Sequence, residues 1–293
     1  MRRRHFVPYL ALLAVCAVNA RAACVPLPGA DQVWSRPALH WMFVGELHGS
    51  NETPAAFLDL VCDALARGRQ VTVALERPTS EQPALTGVLV GGDLHAAKQA
   101  LISQPGWTNG MDGRASEAML RLLVGLHDLR RRYPDLAVAA FDAPSTAGAP
   151  GARDEAMGDA LLALGNAQPE RLILILTGNA HGMESPPFGY NVAAMYLPSA
   201  ARLSLEVTDW GGSSWSDYDD GCGVYQGGIG KKGAKLPRGL YLDPKLAPYG
   251  KVDGVLSLGV PLTASPPAAG DPTPLPLCRI KFLQKQTGPG ASQ

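Results

Sequence analysis

The sequence has no surplus of charge: Lys plus Arg and Asp plus Glu both number 26 in 293 residues. A chain without a net field has no general attraction for nucleic acid or anionic lipid, so partners must be recognised at a local site. Aromatic residues are few, at 6%. No segment after the N-terminus approaches the run of about 18 apolar residues that an integral membrane span needs. Two common catalytic signatures are missing as well. There is no Gly-x-Ser-x-Gly nucleophile elbow and no phosphate loop, and Gly227, Gly228, Gly230 and Gly233 neither follow a convincing strand nor open a helix. What is present is 46% hydrophobic content, ample for a core.

The start, Met1-Arg2-Arg3-Arg4-His5, is basic, Phe6 to Val18 is mostly apolar, and Ala20-Arg21-Ala22 has the small-x-small form of a cleavage site. This pattern predicts a signal peptide over 1–22 and a soluble exported protein, periplasmic or secreted, that begins at Ala23. Lipid attachment at Cys24 competes with that reading, but Arg21 stands where a lipobox wants an aliphatic side chain. Cleavage would remove Cys16 and leave Cys24, Cys62, Cys222 and Cys278 in an oxidising compartment. Cys62 shares a helical apolar stripe with Leu58, Val61 and Leu65, which predicts a buried free thiol. Cys222 with Cys278 is the preferred bridge, and Cys24 stays open as a partner.

Apolar strand-like runs alternate with amphipathic helices, which predicts an α/β fold with a mostly parallel central sheet and helices on both faces. Strands are expected at 39–44, 71–75, 136–141, 172–176 and 202–207. Helices are expected after Thr53 and Ser116, near 94–102, and at 152–164, with a short one near 191–197. The α/β domain spans 23–209. From Trp210 onward the texture is rich in glycine and proline, which predicts an irregular C-terminal appendage over 210–293 with an edge strand at 255–260. The aromatic cluster Trp210, Trp215, Tyr218 and Tyr225 either packs that appendage or walls a ligand pocket.

Each strand ends in polar residues: Glu46 and His48, Glu76 and Arg77, Asp142, Asn179 and His181, and Asp209. In a parallel sheet these ends share one edge, where ligands of open α/β sheets bind. Glu46, His48, Glu76 and His181 form the expected catalytic set. His48, Glu76 and His181 are two histidines and a carboxylate, suited to zinc, manganese or iron with an open position for water. The same groups without metal make a base and its orienting carboxylate. Arg77, Asp142, Asn179, Arg153 and Asp154 are the expected substrate-binding residues. Asp112-Gly113-Arg114 reads as a turn, in which Arg114 has the chemistry to bind an anion.

Gly45-Glu46-Leu47-His48, the acidic end of the second strand at Glu76, and Gly178-Asn179-Ala180-His181 resemble the motifs of the ChaN-like and erythromycin-esterase-like superfamily, which includes the TraB and Tiki proteins. The resemblance covers roughly 39–207. It implies a parallel α/β fold and one of three activities: macrolide ester hydrolysis, metal-dependent proteolysis, or haem binding. The Glu-x-His spacing is one residue shorter than the esterase pattern and is similar to the ChaN side. Together these observations lead to the expectation of an exported hydrolase of a small-molecule or peptide substrate that activates water, with or without a divalent metal. The alternative is a non-catalytic haem- or metal-binding envelope protein, in which a histidine would be the iron ligand.

Overall fold

The computed structural model describes residues 24–144, 148–218, 221–227 and 235–270. The expected signal segment, Cys278 and the C-terminal tail lie outside these residues. Five parallel strands, β1 (Trp41–Glu46), β2 (Val71–Pro78), β3 (Ala137–Asp142), β4 (Leu172–Gly178) and β5 (Arg202–Thr208), alternate with helices. A two-stranded hairpin follows, β6 (Gly212–Tyr218) and β7 (Gly221–Gly227), then β8 (Gly239–Tyr241) and β9 (Gly254–Ser257). The main sheet has the order β3-β2-β4-β1-β5-β9-β8, with only β8 antiparallel to its neighbour. The expected α/β class is therefore observed.

Strand alternation assigns one apolar set to each face. Met42, Val44, Val73, Leu75, Leu174 and Leu205 face a core shared with α1 (Ala30–Trp34), α2 (Glu52–Ala66), α3 (Gln82–Val90), α4 (Leu94–Ile102), α5 (Pro105–Thr108) and α6 (Glu117–Arg130). Trp41, Phe43, Ala74, Ile173 and Ile175 face a second core with Met157 and Leu161 of α7 (Ala152–Ala167). Burying both faces is what makes the strands read as continuous apolar runs. Ser116 caps α6 by accepting from Met119 N at 3.3 Å, the role its position before the apolar stripe predicts.

Three features differ from the sequence expectation. β1 and β2 continue past their apolar runs to Glu46 and Pro78, because Glu46 and Glu76 are buried by partners that no local pattern discloses. The chain after Thr208 is more regular than its glycine content suggests. β9 pairs on both sides, with β5 and β8, so it is not an edge strand, and the hairpin is a separate sheet. Finally, Cys62 is not a free thiol. It is bonded to Cys24, Cα to Cα 5.5 Å, which ties the segment before α1 to the buried side of α2. Cys222 is also disulfide-bonded.

The hairpin is held over the carboxyl end of β1 by backbone hydrogen bonds. Trp215 N and Ser265 N both donate to Gly49 O at 2.8 Å, and Ser213 N donates to Leu262 O at 3.0 Å. Gly49 has φ of 81° and Gly113 has φ of 89°. A Cβ on Gly49 would stand 1.9 Å from Trp215 O, and one on Gly113 would stand 2.4 Å from Gly49 N. Glycine is required at both positions by conformation and by close approach.

Candidate active site

β2, β4 and β1 are neighbours in the sheet, and their carboxyl ends deliver Glu76, then Thr177 and Gly178, then Glu46. Glu76 is the hub. Its Oε2 accepts from Thr177 Oγ1 at 2.7 Å and Gly178 N at 2.8 Å. Its Oε1 accepts from Arg153 Nη2 at 2.8 Å and Arg114 Nη1 at 3.0 Å. Burial raises the carboxyl's pKa, but the His48 hydrogen bond and the charges of His48 and Arg114 outweigh it and hold Glu76 well below the ordinary range.

The two histidines approach this carboxylate from opposite turns. His48 Nε2 lies 3.5 Å from Glu76 Oε2, and its Nδ1 is 3.0 Å from Glu46 Oε1. His181 Nε2 lies 3.7 Å from Glu76 Oε1, and its Nδ1 is 2.6 Å from Asp154 Oδ1. Each ring is thus oriented by one carboxylate on Nδ1 and turned by Nε2 toward a shared one. Asp154 is fixed in turn by Ala193 N, which donates to the same Oδ1 at 3.0 Å.

Their proton inventories differ. Burial opposes a charged His48, yet the hydrogen bonds and charges of Glu46 and Glu76 push it up to about 10. Burial, Glu76 and Asp112 push Glu46 above its ordinary value despite the His48 bond. The pair shares one proton, held mainly by the imidazole between two carboxylates. On His181, Nδ1 faces Asp154 and Nε2 faces the Arg153 Nη1 donor at 3.0 Å. That geometry matches a ring that donates from Nδ1 to Asp154 and accepts at Nε2 from Arg153.

Beneath the hub, Asp142 Oδ2 accepts from Arg153 Nη2 at 2.8 Å and Arg114 Nη1 at 3.1 Å, while Asp112 Oδ2 accepts from Arg114 Nε at 2.7 Å. Sequence reading left Asp112 and Arg114 out of the site. Their one signal is Gly113, whose positive φ folds the turn back so that Arg114 reaches Glu76. Arg77 departs from its expected place in the cleft. It is buried, forks onto Glu81 with two bonds of 2.8 Å, and donates from Nη1 to Arg114 O at 3.0 Å. It supports the Arg114 turn because strand alternation sets Arg77 on the same face as Val73 and Leu75, over the Trp107 ring and opposite Glu76.

A cavity of about 450 Å³ opens above these groups. Glu46, His48, Asp112, Gly178, Asn179 and His181 form its polar floor, and Leu47, Ala180, Met183, Ser214, Ser216, Tyr218 and Tyr249 its walls. Of the aromatic cluster, Tyr218 is a pocket wall, whereas Trp215 is buried and does not line the cavity. Asn179 sits at the side-chain-free notch of Gly45, where a Cβ would come within 2.9 Å of its Oδ1. Among the buried polar atoms, Glu46 Oε2 and Asn179 Oδ1 have no hydrogen-bond partner.

The residues chosen as metal ligands converge, but their arrangement does not fit a metal ion. Among the described residues no group of three or more His, Cys, Asp or Glu is arranged to hold one. Glu76 already accepts two guanidinium bonds on Oε1, and Arg153 lies against His181 Nε2, so fixed positive charge occupies the place of a cation. Nor does either histidine present a free nitrogen to haem iron, since both nitrogens of both rings face protein partners.

No family model and no curated protein matches the sequence. The fold is similar to solved structures. A mutant of the erythromycin esterase EreC in its open conformation superposes with a TM-score of 0.61 at 11% identity, over 79% of this chain and 92% of that one. A succinoglycan biosynthesis protein gives a TM-score of 0.55 at 8% identity, over 78% of this chain and 90% of that one. At such identities the likeness establishes a common fold.

Proposed function

We propose that the protein is an exported hydrolase of small-molecule or peptide substrates that activates water by paired histidines. The observation that carries this reading is the convergence of His48 and His181, each held by a carboxylate on Nδ1, upon Glu76 at the floor of a cavity. The fold shared with an erythromycin esterase supports it. The even set of cysteines in the mature chain and the Cys24–Cys62 bridge support export.

The proton inventory divides the labour. His181, with Asp154 behind it, is the base: Nε2 takes a proton from water as the oxygen attacks the scissile carbonyl carbon. Arg153, which now faces Nε2, turns its donor to the carbonyl oxygen as charge develops there. His48 is the acid: its proton goes to the leaving oxygen or nitrogen as that bond breaks. Glu76, within 4 Å of both Nε2 atoms, then passes the proton from His181 back to His48. No step needs a metal.

The test is turnover of a panel of esters and peptides by the purified protein beside His48→Ala and His181→Ala, with elemental analysis of the same preparation. Each variant should lose about 100-fold or more in kcat, the usual worth of a general acid or base. Undiminished activity in both variants would refute the mechanism.

A further inference from the structure

The charges around the cavity point to the kind of substrate it accepts, an inference that rests on the hydrolase reading and extends it. In and beneath the floor, among the described residues, the carboxylates Glu46, Glu76, Asp112, Asp142 and Asp154 meet three cations, Arg114, Arg153 and the charged His48. Glu46, a lining residue that is 2% exposed, keeps Oε2 without a partner. Neither Lys nor Arg lines the cavity among the described residues. A recessed site with excess negative charge concentrates cations and repels anions.

The wall opposite the histidines carries the second half of the argument. Tyr218 and Tyr249 line the cavity and remain 52% and 46% exposed. Behind them stand more acids. Glu206 is buried on β5 with Oε1 unpartnered, and its Oε2 accepts from Tyr249 N at 3.3 Å. Burial pushes the Glu206 carboxyl up to about 7 against the backbone bonds of Tyr249 and Gly250, so its charge is complete above that pH. Aromatic rings backed by carboxylates attract alkylammonium groups, because the ring quadrupole and the nearby charge act in the same sense.

We infer that the cavity binds substrates carrying an alkylammonium group, which lodges between Tyr218 and Tyr249 while the scissile bond lies over His48 and His181. The occupant is thus a cationic ester or amide and not an anionic one.

Binding measured by calorimetry separates this inference from the chemistry. Choline, its neutral isostere 3,3-dimethylbutanol, and acetate would each be titrated into the exported protein at fixed ionic strength. Choline should bind about tenfold or more tightly than the isostere, a typical worth for a cation against aromatic rings, and acetate should be the weakest. Tyr218→Ala with Tyr249→Ala should abolish the preference, and the two Phe variants should keep it. His48→Ala, inactive on the hydrolase reading, should keep it as well. Equal binding of choline and the isostere, tighter binding of acetate, or a preference that survives both Ala substitutions would overturn the inference. Failure of the hydrolase reading would be seen separately, as choline binding without turnover of any ester.

Discussion

A histidine with a carboxylate on each ring nitrogen, as His48 has, gains a proton on folding and keeps it to high pH. Its pKa rises from the ordinary 6.5 to about 10, so its stabilising contribution is complete below about pH 6.5 and is lost as pH rises through 10. Glu76 is depressed, so its contribution is present above its ordinary value and is lost as pH falls through the lowered one. The two overlap fully between the ordinary values of 4.5 and 6.5, where Tm should be highest if these groups dominate the pH dependence. Glu46→Gln removes one of the two carboxylates that hold the proton. The alkaline limb of kcat/KM, expected near pH 10, should therefore move to lower pH in that variant, and an unmoved limb would show that His48 is not the acid.

The turns at the strand ends show what sequence pattern discloses about elements and what it does not. Strands β1 to β5 and helices α2, α4, α6 and α7 followed from periodicity, with α4 at Leu94–Ile102 placed to the residue, whereas α1, α3, α5, β8 and the hairpin did not. Glu46, His48, Glu76 and His181 were found because polar residues that end apolar strands have few other reasons to be there. Asp112 and Arg114 escaped because their partners, Glu76 and Asp142, are distant in sequence and the contacts depend on the path of a loop. Arg77 misled for a different reason: next to Glu76 in a strand it must face the other side, and alternation sends it to the Trp107 core. The same loops are rigid where glycine is obligatory. Gly49→Ala should cost about 1–3 kcal/mol from its positive φ alone, and more from contact with Trp215 O, which would lift the hairpin from the cavity. Denaturant unfolding, together with Trp215 fluorescence, reads both effects.

At the scale of the whole molecule the Cys24–Cys62 bridge closes a sequence separation of 38 residues. By chain entropy, a loop of that length stabilises the fold by about 4 kcal/mol. Cys62→Ser, or reduction of the protein, should lower Tm by roughly 8–16 °C on the usual scale of 2–4 °C per kcal/mol for a protein of this size, and calorimetry under both redox conditions checks it. The bridge also occupies the sulfur of Cys24, so the thiol that lipid attachment requires is not available in this fold.

The sheet order sets when the proposed catalytic groups first meet. β4 is inserted between β2 and β1, although more than ninety residues separate Pro78 from Leu172 in the chain. During synthesis, Glu46, His48 and Glu76 are therefore made while the central place of the sheet is still vacant, and their carboxylates have neither Thr177, Gly178 nor His181 to face. An N-terminal fragment ending before β4 would hold three of the four proposed catalytic side chains on two strands that are not neighbours. The cluster thus depends on completion of the fold: its groups converge only when the fourth strand occupies the middle of the sheet.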